Sequence, residues 1–525
     1  MASDRSDHMK QILARALEFE ELHNWREAAE TYLSALAKAP LEARLWHRAG
    51  VCIRRAGAPS EAIQYLEKAG MLDPAAIENP LELGDAYFEL RAFDDAIASY
   101  LIARDIDPEN ASVANNIGIT LLEAGLVDDA LLALERALTL SPDDPIVHSN
   151  LGAAYLKTGS IKEALEHLDT ALELDADQPE AWSNYGVALQ ENLQIDVALK
   201  AHEEAILRAP QQHALHYNYS MSLLLDGRFR AGFREFEHRK YMPDRKPRDF
   251  DAPLWRGEDI TGKTILVHAE QGIGDAIQFA RFLPLLRRMG VGRTMFAAHS
   301  ATANLMNSLR GVDEVLTEVP EETHFDVQLP LMSLPHRLDP ELKSLPNSRG
   351  GYLSVPESAQ SALPPSSGSL RVGLVWAGNP RHTNDQNRSC ELSEIAKVFD
   401  VPGIEWISLQ VGEPAKEISH VDHDVLDLSD KLTDFTVTAA TILELDLVIS
   451  VDTSVVHLAG ALGAPTWCVL AYAPDWRWML GRHDTPWYSS VRLYRQQSTG
   501  DWTTLSHRIA EDLSQYPNLP QSAGG

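Results

Sequence analysis

Leu447-Val-Ile-Ser-Val-Asp-Thr-Ser-Val-Val-His-Leu-Ala-Gly-Ala-Leu-Gly-Ala-Pro465 reads as a strand, a tight turn and a helix in immediate succession. The run Leu447 to Val451 is apolar throughout, Asp452 and Thr453 break it, and Ser454 to Leu462 repeats at helical spacing until Gly463 and Pro465 stop it. A helix that begins where a strand ends turns unpaired backbone N–H groups and a positive dipole end towards the sheet edge, where a phosphate fits. Asp452, Thr453 and His457 are the ligand-site candidates of this turn. The plainer alternative makes Asp452 or Thr453 a helix cap and His457 a core histidine.

A second stretch, Ile265-Leu-Val-His-Ala-Glu-Gln-Gly-Ile-Gly-Asp-Ala-Ile-Gln-Phe279, has the same plan. Gly272 and Gly274 let the backbone pass close to a ligand, and Asp275 opens the helix where a carboxylate faces the crevice. Two such turns predict two sheets facing one cleft. Around the first, strands are expected at Thr264 to His268, Thr294 to Ala298, Glu314 to Thr317, Phe325 to Leu329 and Tyr352 to Val355, with helices at Asp275 to Met289 and Ala301 to Leu309. After a Pro- and Ser-rich linker, a second series runs through Arg371 to Ala377, Trp406 to Leu409, Leu447 to Val451 and Thr466 to Leu470. The polar loop from Gly378 carries Asn379, Arg381, His382 and Arg388; either Arg388 grips a diphosphate bidentately or the loop is simply solvated. Gln410, Glu413 and Glu417 come after a strand end and are candidate contacts to a ribose or base.

The rest of the chain sets bounds on this reading. Its 525 residues exceed one core, and 44% hydrophobic residues is ordinary for a soluble protein. A formal charge of −30 argues against nucleic acid and anionic membrane as main partners. No apolar run reaches membrane-spanning length and the first ten residues are polar, so a cytoplasmic location is expected. Cys52, Cys390 and Cys468 lack metal-ligand spacing; no metal is expected, and they read as small buried apolar residues.

Residues 9 to about 212 repeat every 34 residues, the tetratricopeptide period, with Pro40, Pro74, Pro108 and Pro142 in step. Gly50, Gly84, Gly118, Gly152 and Gly186 form one small-residue column, and alanines from Ala28 to Ala198 and from Ala35 to Ala205 form two more. Six helix-turn-helix repeats and a degenerate cap are predicted, stacked into a superhelix with a concave binding surface. Asn116, Asn150, Asn184 and Asn218 make a further column on the first helices. A side-chain amide both donates and accepts, so such a ladder can hold an extended peptide whatever its side chains; the alternative is a tolerated polar position. The basic and aromatic stretch from Phe233 through Lys240, continued by Arg245, Lys246 and Arg248, is expected to fasten the superhelix to the next domain.

The turn Glu270 to Asp275, the segment Gly373 to Asn379 with Asn387-Arg388-Ser389, and Asp452 to His457 resemble glycosyltransferase family 9, the heptosyltransferase-like group, over roughly residues 263 to 500. The asparagine column resembles that of protein O-linked N-acetylglucosamine transferases, and Ala473 to Arg482 with Trp487-Tyr488 is similar to bacterial proteins that fuse such repeats to a family 9-like domain, some acting on flagellin. The resemblance implies a GT-B fold of two Rossmann-like lobes, with Asp275 as catalytic base. It implies donor contacts from Gly272, Gly274, Gly378, Asn379, Arg388, Gln410, Asp452, Thr453, Ser454 and His457, and acceptor contacts from Asn116, Asn150, Asn184 and Asn218. Ser454 replaces the glycine usual in heptosyltransferases, and Arg388 stands where they often have lysine, so heptose itself is not implied. The expected divisions are 1–242 superhelix, 243–262 linker, 263–357 first lobe, 358–370 inter-lobe linker, 371–515 second lobe with a terminal helix, and 516–525 tail. The expected activity is inverting transfer from a nucleotide-sugar, a co-substrate with no further cofactor, to Ser or Thr of an acceptor protein, flagellin among the candidates. The alternatives are an inactive scaffold that binds sugar-nucleotides, or an enzyme acting on a lipid-linked glycan.

Overall fold

The computed structural model describes residues 2–243, 248, 250–339, 345, 350–366, 368–382 and 384–516, with side chains from residue 9. Arg245, Lys246 and most of the expected tail lie outside these residues. Two compact bodies emerge, Met1–Pro210 and Gln211–Gly525.

The first body is a run of helix pairs, from Ala2–Glu21 with Trp25–Leu36 through to Pro179–Glu191 with Ile195–Arg208. The small-residue columns explain the pairing. A Cβ on Gly50, Gly118 or Gly152 would lie 2.4–2.7 Å from the leucine sixteen positions later, and on Gly84 it would lie 2.4 Å from the Tyr100 ring. Each glycine on a first helix is thus the slot for a large side chain on the second, and the alanines Ala28, Ala62, Ala96, Ala130, Ala164 and Ala198 are fully buried between helices.

The second body begins with two more helices, His213–Leu225 and Phe229–Glu235, the latter continuing as a 3-10 turn over Phe236–Tyr241. The expected boundary at 242 therefore falls inside this body. Phe229 and Phe233 pack on Trp476, Trp487 and Phe279 with ring centroids 5.5–6.5 Å apart. Fully buried Arg239 reaches Glu270 Oε1 at 2.6 Å, Glu237 Oε1 at 3.0 Å and Ser333 Oγ at 2.9 Å. Burial alone would raise the Glu237 carboxyl, but Arg239 and Lys240 draw it down to about 2. The basic stretch does fasten these helices to the sheets.

Two wholly parallel sheets make up the remainder. The first holds β1 (Thr264–His268), β2 (Arg293–Ala297), β3 (Glu314–Leu316) and β4 (Val327–Pro330) in the order β3-β2-β1-β4. The second holds β5 (Leu370–Val375), β6 (Ile404–Ser408), β7 (Val425–Asp427), β8 (Leu447–Val451), β9 (Thr466–Leu470) and β10 (Val491–Arg495) in the order β10-β9-β8-β5-β6-β7. That is the doubly wound arrangement, whose crevice opens where the order reverses, between β5 and β8. In the first sheet the reversal lies between β1 and β4.

Two local expectations are corrected. The helix expected over Asp275 to Met289 is two, Ile273–Ala280 and Leu283–Arg288, because Pro284 sits in the first turn of the second. Tyr352 to Val355 is not a strand. Gly350 and Gly351, at φ 89° and 90°, turn the chain so that the N–H groups of Tyr352 and Leu353 both donate to Ala461 O, at the end of the helix Ser454–Leu462.

Candidate functional site

A cavity of about 800 Å³ lies between the strand ends of the two sheets, lined by the turns after β1, β5 and β8 and by Ala473 to Arg477. This volume is in the range of small-molecule sites. Asp275, Arg388, Asp452, Thr453, Ser454 and His457, which the sequence scatters over almost two hundred residues, all face it.

The turn after β8 forms as its sequence predicts. Thr453 is the N-cap of the helix Ser454–Leu462, its Oγ1 accepting from the Val455 N–H at 3.3 Å, and Gly463 closes the helix in the left-handed region at φ 77°. Ser454 stands at the positive end of that helix. His457, one turn in, is 5% exposed, so the core reading of this histidine holds in part. Its Nδ1 is 2.9 Å from the Tyr488 hydroxyl, its ring stacks on Trp478, and its Nε2 lies 3.9 Å from Asp452. Burial, with Arg477, Arg281 and Arg388 nearby, pushes the imidazole well below its ordinary value, leaving it neutral. Asp452 is shifted the other way: burial and the Asp475 carboxylate raise it to about 6.

Across the cavity, Asp275 caps the start of its helix, its Oδ2 accepting from the Gly272 N–H at 3.0 Å. Its Oδ1 pairs with Arg477 Nη2. Arg477 is 8% exposed and joins both lobes, with Nε on Gln278 Oε1 at 2.6 Å and Nη1 on Asp475 at 2.9 Å, while its guanidinium lies 4.4 Å from the Trp476 ring centroid. Arg477 lies in the aromatic and basic run Ala473 to Arg482 that the sequence singles out without giving it a role, and Asp475 is not singled out. Gly274 also acts between lobes: a Cβ there would lie 2.9 Å from His457 Cδ2.

The loop after β5 places Arg388 beneath Gly378, where a Cβ would lie 2.6 Å from Arg388 Nη2. Arg388 Nε donates to Asp385 at 3.1 Å and Nη1 to the Asp452 carbonyl at 3.3 Å, so this arginine ties the two turns of the second sheet together. Asn379 is exposed and folds back on the Arg381 N–H. Gln410 lines the cavity, and its amide is engaged by the backbone. Its Oε1 accepts from the N–H groups of Trp376 and Ala377 and its Nε2 donates to the carbonyls of Ala377 and Val411, which saturates the amide and shapes the end of β5. Glu417 accepts from the Leu392 N–H at 2.6 Å and does not line the cavity, whereas Glu413 does.

Asn116, Asn150 and Asn184 lie half-buried on first helices of the first body, and Asn218 falls on His213–Leu225 in the second. Asn150 is engaged within the body, donating to Asn115 Oδ1 at 2.9 Å. Cys52, Cys390 and Cys468 are free and buried. No helix among the described residues is long and apolar enough to cross a membrane.

Residues 13–76, 81–145 and 121–185 match tetratricopeptide repeat families, which agrees with the helix pairs of the first body. Protein FlbA of Caulobacter vibrioides is 26% identical over 327 residues, 56% of this chain and 54% of that protein; this chain thus covers about half of its relative's length. Among solved structures, the APC/C hetero-tetramer Cut9–Hcn1 covers 44% of this chain and 46% of its own at 17% identity and TM-score 0.40. YrrB, described as a tetratricopeptide protein with an unusual peptide-binding site, covers 36% of this chain and 96% of its own at 23% identity and TM-score 0.29.

Proposed function

We propose that the second body is an inverting glycosyltransferase of GT-B type, and that the repeats recruit the protein whose Ser or Thr accepts the sugar. The observation that carries this reading is the meeting, at one cavity between the strand ends of two parallel sheets, of a carboxylate (Asp275), a buried guanidinium (Arg477), a second guanidinium (Arg388) and a helix N-terminus (Ser454). The acceptor hydroxyl gives its proton to Asp275 as its oxygen bonds to the anomeric carbon. The bond from that carbon to the nucleotide phosphate oxygen breaks on the opposite face, and the electron pair leaves with the phosphate. One displacement inverts the anomeric centre. Arg388 and the helix end meet the charge that grows on the departing diphosphate, and neutral His457 keeps a third positive group out of the wall behind Asp452. Intact-mass analysis of candidate acceptors, flagellin among them, from cells carrying the wild-type or the Asp275→Asn protein tests this. A glycan-sized mass present with the first and lost with the second is expected; masses unchanged throughout would overturn it.

One observation favours a second reading. Both Asp275 oxygens are engaged, by Arg477 and by the Gly272 N–H, which also suits a domain that binds a sugar-nucleotide without reacting it. Saturable nucleotide-sugar binding by a protein that neither transfers nor hydrolyses the sugar would decide for that scaffold.

A further inference from the structure

Away from the cavity, the first two helical segments of the second body bring four ligand-type side chains together. His213 and His216 stand three residues apart on the helix His213–Leu225, and Glu235 and His238 three apart where Phe229–Glu235 passes into the 3-10 turn. Residues three apart share a helix face. His216 Nδ1 lies 2.7 Å from Glu235 Oε2, and His213 Nδ1 lies 2.8 Å from His238 Nδ1. One ligand atom from each of His216, Glu235 and His238 falls within 4.8 Å of the others. None of the four lines the cavity.

We propose that His216, Glu235 and His238 form a binding site for a divalent transition metal of the zinc class. Two imidazoles and a carboxylate suit zinc and its first-row neighbours, whereas calcium and magnesium call for oxygen ligands throughout. Paired ligands three apart on facing helical segments are also how helical bundles build metal centres. Bonds of about 2.1 Å to a tetrahedral ion put ligand atoms roughly 3.4 Å apart, so the three groups need only side-chain adjustment. The His216 and His238 rings now stack with centroids 4.0 Å apart, and one must turn about its terminal torsion to aim a lone pair at the ion. The side chains of His216 and Glu235 are 14% and 13% exposed, which leaves an entry path. The cation takes the place of the hydrogen bond between His216 Nδ1 and Glu235 Oε2, and His213, against His238, orients that ring as outer partners of metal ligands do. The fourth position is left to water.

The test uses the full chain stripped with a chelator. Zn²⁺ is titrated in competition with a chromogenic chelator, and Co²⁺ is titrated for the visible bands of a four-coordinate ion. One equivalent is expected, with affinity reduced at least about tenfold in Glu235→Gln and in His238→Ala. A second measurement needs no variant: Zn²⁺ should protect His216 and His238 of the wild-type protein from carbethoxylation, read by peptide mass. Absence of stoichiometric binding, binding unchanged in both variants, or carbethoxylation of both histidines at full rate in saturating Zn²⁺ would each overturn the proposal.

Discussion

Asp275 and Asp452 come from two turns of one backbone plan, yet their positions and surroundings oppose each other. The first sits at the third position of its helix, held by Arg477 and a backbone N–H. The second precedes the cap of its helix, half-buried beside Asp475, and its carboxyl is pushed up to about 6. The strand-turn-helix motif delivers a carboxylate to the cavity edge, while its protonation and role are decided by what the other lobe brings against it.

The largest effect that could break this contrast is on transfer itself. Asp275→Asn should lower the rate by about 10²- to 10⁴-fold in a folded protein, measured as sugar incorporated into acceptor; an active Asp275→Asn protein beside an inactive Asp452→Asn one would exchange their roles. Arg477→Ala should come next, costing about 3–5 kcal/mol in urea unfolding, because it removes a buried guanidinium shared by Asp275 and Asp475. Asp452→Asn should act with the opposite sign. A carboxyl whose folded value lies above its unfolded one takes up a proton on folding, so it opposes the fold above pH 6 and ceases to do so as pH falls towards 4. The variant should be more stable than the wild type at pH 7.5, and the gain should vanish near pH 4. Gly274→Ala should cost about 1–3 kcal/mol, since His457 is held by Tyr488 and Trp478 and cannot yield to the new methyl. Gly272→Ala, at φ −63° with its nearest contact the Asp275 carboxylate at 3.2 Å, should cost under about 0.5 kcal/mol by the same assay.

Local features were legible in the sequence and long-range ones were not. The repeats announced themselves because one steric problem, a large side chain sixteen residues beyond each small one, recurs every 34 residues. The turns after β1 and β8 were legible because strand, cap and helix are all written within about fifteen residues. The pairing of Arg477 with Asp275 joins residues two hundred apart through the docking of two lobes, which no local pattern encodes. Gln410 lines the cavity, as a strand-end position predicts, but backbone groups engage its amide, whereas Glu417 accepts from the Leu392 N–H away from the lining. Tyr352 to Val355 carries a strand's composition, yet two glycines with positive φ send it across to the other lobe.

The aromatic seam formed by Phe229 and Phe233 against Trp476, Trp487 and Phe279 constrains how such genes can be rearranged. A crossover upstream of residue 211 adds or removes whole repeats and leaves every ring of the seam in place. A crossover just after residue 241 would separate Phe233 and Arg239 from the tryptophans and from Glu270, and strand them on foreign sheets. The seam therefore ties the last helical hairpin to the sheets as one unit, whatever the number of repeats before it.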